Sequence, residues 1–137
     1  GPVSSAIRNM HAMLRPGGRL LLTVPYLEGH ESIEHFPHLH EYLIVELGGD
    51  FVLVNRRRDG VIETHRGLSF HGGPGSVLEL RIFGEGELLS LLKGAGFTVT
   101  VLEPKVEEIG YVWDDCVEYP LAGGRKSKSY VLSCMRL

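Results

Sequence analysis

Apolar residues recur at three- and four-residue spacing at Ile7, Met10, Met13 and Leu14, which predicts a helix over 4–14 with one buried face. Ser4 or Ser5 supplies a side-chain oxygen for the free amides of its first turn. Pro16 stops it, and Gly17-Gly18 gives a turn that accepts positive φ. Residues 20–24 then run with almost no polar interruption, the pattern of a strand buried on both faces in a parallel, helix-covered sheet. A second helix opens at Gly84-Glu85-Gly86-Glu87 and runs to about Gly94. Leu88, Leu89, Leu91 and Leu92 form its buried stripe, with acidic residues at its amino end. Residues 97–102 and 129–135 read as strands.

Between the first strand and the second helix the pattern changes to short, strand-like runs. Residues 50–57 and 61–70 flank Asp59-Gly60, a pair that tolerates the dihedrals of a tight hairpin. Residues 78–83 alternate apolar and charged, which predicts a half-buried strand. Residues 50–83 are therefore read as a β region inserted into one domain spanning 1–137. Residues 104–127 form a long connection containing Trp113 and Tyr119, of the kind that is either functional or mobile.

Composition narrows the class of protein. The net charge of -3 gives no reason to expect nucleic acid or an anionic membrane as partner. Arg56-Arg57-Arg58, beside the Asp-Gly turn, reads as a solvated hairpin end before a phosphate site. Two cysteines, Cys116 and Cys134, make neither a disulfide framework nor a zinc motif, and Cys134 reads as a core thiol. No apolar run approaches the ~20 residues that span a bilayer, and no signal sequence is recognisable, so the cytoplasm is the expected location. The opening Gly1-Pro2 fits the scar of a cleaved tag, which would start the native sequence in mid-fold.

Candidate chemistry gathers in two stretches. Residues 29–42 hold four of the seven histidines, with three glutamates among them. The spacing His35-x-x-His38-x-His40 offers imidazoles to a metal, with Pro37 interrupting any regular helical presentation. The alternatives are a polar lid, or a substrate-binding loop with one histidine near the chemistry. Residues 71–76 (His-Gly-Gly-Pro-Gly-Ser) form a backbone-exposing loop that fits a plain turn or the wall of a pocket containing His71. The loop lacks the Gly-Lys-Ser/Thr of a P-loop and the glycine order of a dinucleotide fingerprint.

Three separated segments resemble class I S-adenosylmethionine-dependent methyltransferases. They are residues 11–18 leading into 20–25, residues 83–97 leading into the next strand, and residues 126–132. In that family they correspond to the fourth helix with strand five, the last helix with strand six, and strand seven. The resemblance implies the C-terminal, substrate-side half of such an enzyme. Its fold would be α/β: a partial Rossmann-like sheet holding strands five, six and seven, with an inserted β-hairpin. The implied reaction is methyl transfer from S-adenosylmethionine to an oxygen or nitrogen of a small molecule or glycan. Ligands of open α/β sheets sit beyond the carboxyl ends of strands, which nominates Pro25 and Tyr26 for substrate, together with His30, His38 and Trp113. His30, His35, His38 and His71 are the base candidates, because histidine titrates near neutral pH, and His35 and His71 are taken as the catalytic pair. The glycine-rich cofactor loop and the ribose-binding acid cannot be placed in this sequence, so no cofactor residue is assigned, and zinc is not expected. A strand five without its neighbour leaves an open sheet edge, so a second copy or a complementary N-terminal half is the expected partner. The alternative function is a non-catalytic binding or assembly module that dimerises through that edge.

Overall fold

The computed structural model describes residues 3–102, 105–106, 111–112, 117–118 and 123–137. Trp113, Cys116 and most of the long connection lie outside the described residues. In chain order the elements are α1 (Val3–Met13), β1 (Arg19–Leu22), β2 (Tyr26–Leu27), β3 (Ile33–Glu34), β4 (Glu41–Leu47), β5 (Asp50–Arg56), β6 (Ile62–His65), β7 (Phe70–His71) and β8 (Val77–Leu78). They continue as β9 (Arg81–Gly84), α2 (Glu85–Gly94), β10 (Phe97–Leu102), β11 (Lys105–Val106), β12 (Tyr111–Val112), β13 (Val117–Glu118), β14 (Lys126–Lys128) and β15 (Val131–Arg136). The chain divides into two compact units, Gly1–Ile33 with Ile82–Leu137, and Glu34–Arg81.

In the first unit, β15 lies between β1 and β10 and is antiparallel to both. The register stacks Leu20, Cys134 and Val99 in one row, and Leu22, Leu132 and Val101 in another. Because side chains alternate across a strand, these rows share one face, where Ile7 of α1 and Leu88 and Leu92 of α2 complete the core. The opposite face carries Leu21, Ser133 and Thr100, and Leu21 is 63% exposed. Met13, counted in the apolar stripe of α1, is exposed as well.

The expected α/β, Rossmann-like sheet is not what the chain builds. The structure is mostly β, with several small sheets and two helices among the described residues. The reason lies in the pairing. A parallel sheet needs a crossover connection for each strand, whereas β1 and β10 are joined through an antiparallel β15. Residues 20–24 also alternate between half-buried and exposed, so their unbroken hydrophobicity marks an edge strand with one open face. Among the described residues, no helix is long and apolar enough to cross a membrane.

In the second unit, β4, β5 and β6 form an antiparallel meander. Gly48 and Gly49, both at positive φ, turn β4 into β5. The Asp59-Gly60 turn joins β5 to β6, with the Val61 amide donating to Oδ1 of Asp59 at 3.2 Å. The second arm of the predicted hairpin ends at His65, and Phe70–His71 forms a separate strand paired with Val77–Leu78. Residues 78–83 likewise divide between β8 and β9.

Candidate functional site

The break between β8 and β9 creates the site. Glu79 and Leu80 lie between those strands, and the expected alternation is inverted there: the carboxylate is 6% exposed and Leu80 43%. Two backbone bonds hold this turn. The Glu79 amide donates to the Ser69 carbonyl at 2.9 Å, and the His35 amide donates to the Leu80 carbonyl at 3.0 Å. The second bond brings the start of the histidine-rich segment alongside the acid.

Both carboxylate oxygens of Glu79 then meet an imidazole. Nε2 of His35 lies 2.9 Å from Oε1, and Nε2 of His71 lies 2.9 Å from Oε2. An ionised carboxylate can only accept, so His35 donates to it through Nε2, while His71 faces the other oxygen as an ion-pair partner once its ring is protonated. The two rings are otherwise unlike. The His35 side chain is 9% exposed and that of His71 is 52% exposed. His35 is thus an internal partner of the acid, and His71 the one open to solvent.

His71 owes its position to the glycine loop. It ends β7 opposite Val77, and Ser76 Oγ donates to the carbonyls of His71 and Gly73, closing the five-residue tip. Gly72 and Gly73 have φ of 85° and 102°, which other residues adopt only with strain. A side chain at Gly75 would place its Cβ 2.7 Å from the Phe51 ring, which itself packs edge-on against Phe70.

A second polar cluster lies in the same unit. The Asn55 side chain is buried; its oxygen accepts from the His40 amide, and its nitrogen donates to the His38 carbonyl and to Glu63. This ties His38 and His40 through their backbones and leaves both residues exposed. Desolvation pushes the Glu63 carboxyl up, but the Asn55 amide and the Arg57 guanidinium outweigh it, and the carboxyl stays below its ordinary range. Nearby, a cavity of about 240 Å³ is lined by Pro37, His38, Leu39, Arg57, Arg58 and Asp59. Arg57 is already paired with Asp59 and Glu63.

No family model, curated protein or solved structure matches the chain.

The two expected bases, His35 and His71, sit on one carboxylate. The residues nominated for substrate do not join them as a group. Tyr26 is buried in the core of the first unit, and Pro25 beside it is exposed. His30 lies against α2 and His38 beside Asn55, while Trp113 falls outside the described residues. His35, His38 and His40 do not gather around a common point: among the described residues, no three histidine, cysteine or carboxylate groups are arranged to hold a metal. Glu79 and Asn55 were not singled out in the sequence. The alternation of residues 78–83 pointed Glu79 toward solvent, and a lone asparagine in a strand carries no signal of burial.

The methyl donor implied by the resemblance can be tested against one local feature. Gly84-Glu85-Gly86 makes a strand–turn–helix with two closely spaced glycines, the type of place where a cofactor approaches a helix amino end. Here the chain itself fills it. The Gly86 and Glu87 amides donate to the carbonyls of Gly29 and His30, and the Gly84 amide donates to Ser32 Oγ. A Cβ at Gly84 would lie 2.4 Å from the His30 carbonyl oxygen. The amides of this helix terminus are thus taken by the chain's own oxygens.

Proposed function

We propose that the chain provides the acceptor side of a methyl-transfer system, with His71 as the base that takes the proton from an oxygen or nitrogen of a small molecule or glycan. The observation that carries this reading is the His35–Glu79–His71 arrangement, with its buried acid and one half-exposed imidazole. With Nε2 held 2.9 Å from the Glu79 carboxylate, the His71 ring has Nδ1 left to take an incoming proton. The carboxylate orients the ring and stabilises the imidazolium that forms. His35 holds the other oxygen and so fixes the carboxylate. The likeness of three sequence segments to methyltransferases supplies the reaction class. No step is assigned to the methyl donor, and no described residue is assigned to bind it.

The test is a binding screen of phenols, catechols, amines and short glycans, read by chemical shifts of the isotopically labelled histidine rings. A ligand of this class should move the His71 resonances and lose its affinity in His71→Ala. If every bound ligand leaves His71 unmoved, the reading fails.

A further inference from the structure

β4 is an edge strand in the order β4-β5-β6, and its register with β5 is continuous from Glu41↔Arg56 to Leu47↔Asp50. Six of its seven residues are exposed and the seventh, Val45, is half-buried. Such an edge presents a row of unpaired N–H and C=O groups. Proteins blunt it with charged residues, lysine above all, or with proline, a bulge or brevity. Only Glu41 and Glu46 carry charge here, and lysine, proline, a bulge and brevity are absent: the strand reads Glu-Tyr-Leu-Ile-Val-Glu-Leu. Tyr42, Leu43, Ile44 and Leu47 instead expose apolar surface along it.

The strand's own sequence specifies what completes it. Antiparallel pairing of two copies about Ile44 sets Ile44 opposite Ile44, Leu43 opposite Val45, Tyr42 opposite Glu46 and Glu41 opposite Leu47. No like charges face each other, and the Tyr42 phenol can donate to the partner's Glu46, twice by symmetry. Glu41 already has Arg56 beside it at 3.4 Å within its own chain. A two-fold operator closes on itself, so assembly stops at two. The other edges of the two three-stranded sheets are shorter: β10 has six residues, and β1 and β6 four each.

We propose that two copies of the chain pair through β4, joining two three-stranded sheets into one of six strands. Ile44 then sits on the two-fold axis. Directly opposed residues of antiparallel strands have Cα atoms about 4.5 or 5.5 Å apart, within the span of a disulfide. In a Cys116→Ser background, Ile44→Cys should therefore cross-link to a covalent dimer under mild oxidation, while Leu47→Cys should not. Light scattering of the unsubstituted chain should show twice the mass of one chain at high concentration. Ile44→Lys should return it to one chain with an unchanged circular-dichroism spectrum. A single-chain mass across the whole concentration range would overturn the proposal. So would a dimer that survives Ile44→Lys, or cross-linking that is equal at positions 44 and 47.

Discussion

Nε2 of His71 stands 2.9 Å from Oε2 of Glu79, a carboxylate that is otherwise closed off from solvent. A buried acid is retained only where its oxygens find partners, and two imidazoles stand against them here. Glu79→Gln keeps the shape but turns one acceptor into a donor, so one imidazole loses its partner. The expected cost is about 1–3 kcal/mol, read from urea unfolding followed by circular dichroism.

The two histidines should separate stability from ligand binding. His35 is nearly buried and His71 half-exposed. His35→Ala removes packing and a hydrogen bond, and should destabilise by about 1–3 kcal/mol. His71→Ala opens the Glu79 Oε2 it faces to water, so it should cost less than His35→Ala, yet abolish acceptor binding. Equal effects of both variants on stability and on binding would contradict the division of roles.

Glu63 predicts a pH dependence whose sign follows from its lowered carboxyl. A group depressed on folding adds stability above its unfolded pKa, and that stability is lost as pH falls through the folded value. The parent should therefore melt higher than Glu63→Gln near neutral pH. The gap should close below about pH 4, where glutamate protonates. Melting curves of the two proteins across acidic pH check this.

The glycines around α2 should respond in opposite ways. Gly84→Ala drives a Cβ into the backbone of His30 and Glu31, with the nearest contact at 2.4 Å. The expected loss is about 1–3 kcal/mol. Gly94 has nothing within 4 Å of its Cβ position and lies at the end of the helix. Gly94→Ala should be neutral or stabilise by up to about 1 kcal/mol. Denaturant midpoints of both variants test the close approach of residues 30–31 to α2.

Much of the local structure was legible. The helix expected over 4–14 is Val3–Met13, and the strand expected over 97–102 is Phe97–Leu102, because helical spacing and a short apolar run bounded by glycine are properties of neighbouring residues. Asp59-Gly60 marked its turn for the same reason. Sheet pairing was not legible, because it depends on partners far along the chain: an apolar run such as Leu20-Leu21-Leu22 does not say whether one face stays open. β4 passed unnoticed behind the histidines, although Leu43-Ile44-Val45 followed by Gly48-Gly49 is a strand-and-turn signal. At the candidate site, His35 and His71 stood out by residue type. Glu79 did not, because its burial follows from a break between β8 and β9 that local alternation cannot report.

Whether Glu79 holds a proton-bearing Nε2 of each histidine is read directly by long-range proton–nitrogen spectra of labelled imidazoles. Both rings should carry their hydrogen on Nε2 at neutral pH, with Hε2 signals shifted downfield and both signals displaced in Glu79→Gln. Imidazoles protonated on Nδ1 alone, or Hε2 signals indifferent to the substitution, would contradict it.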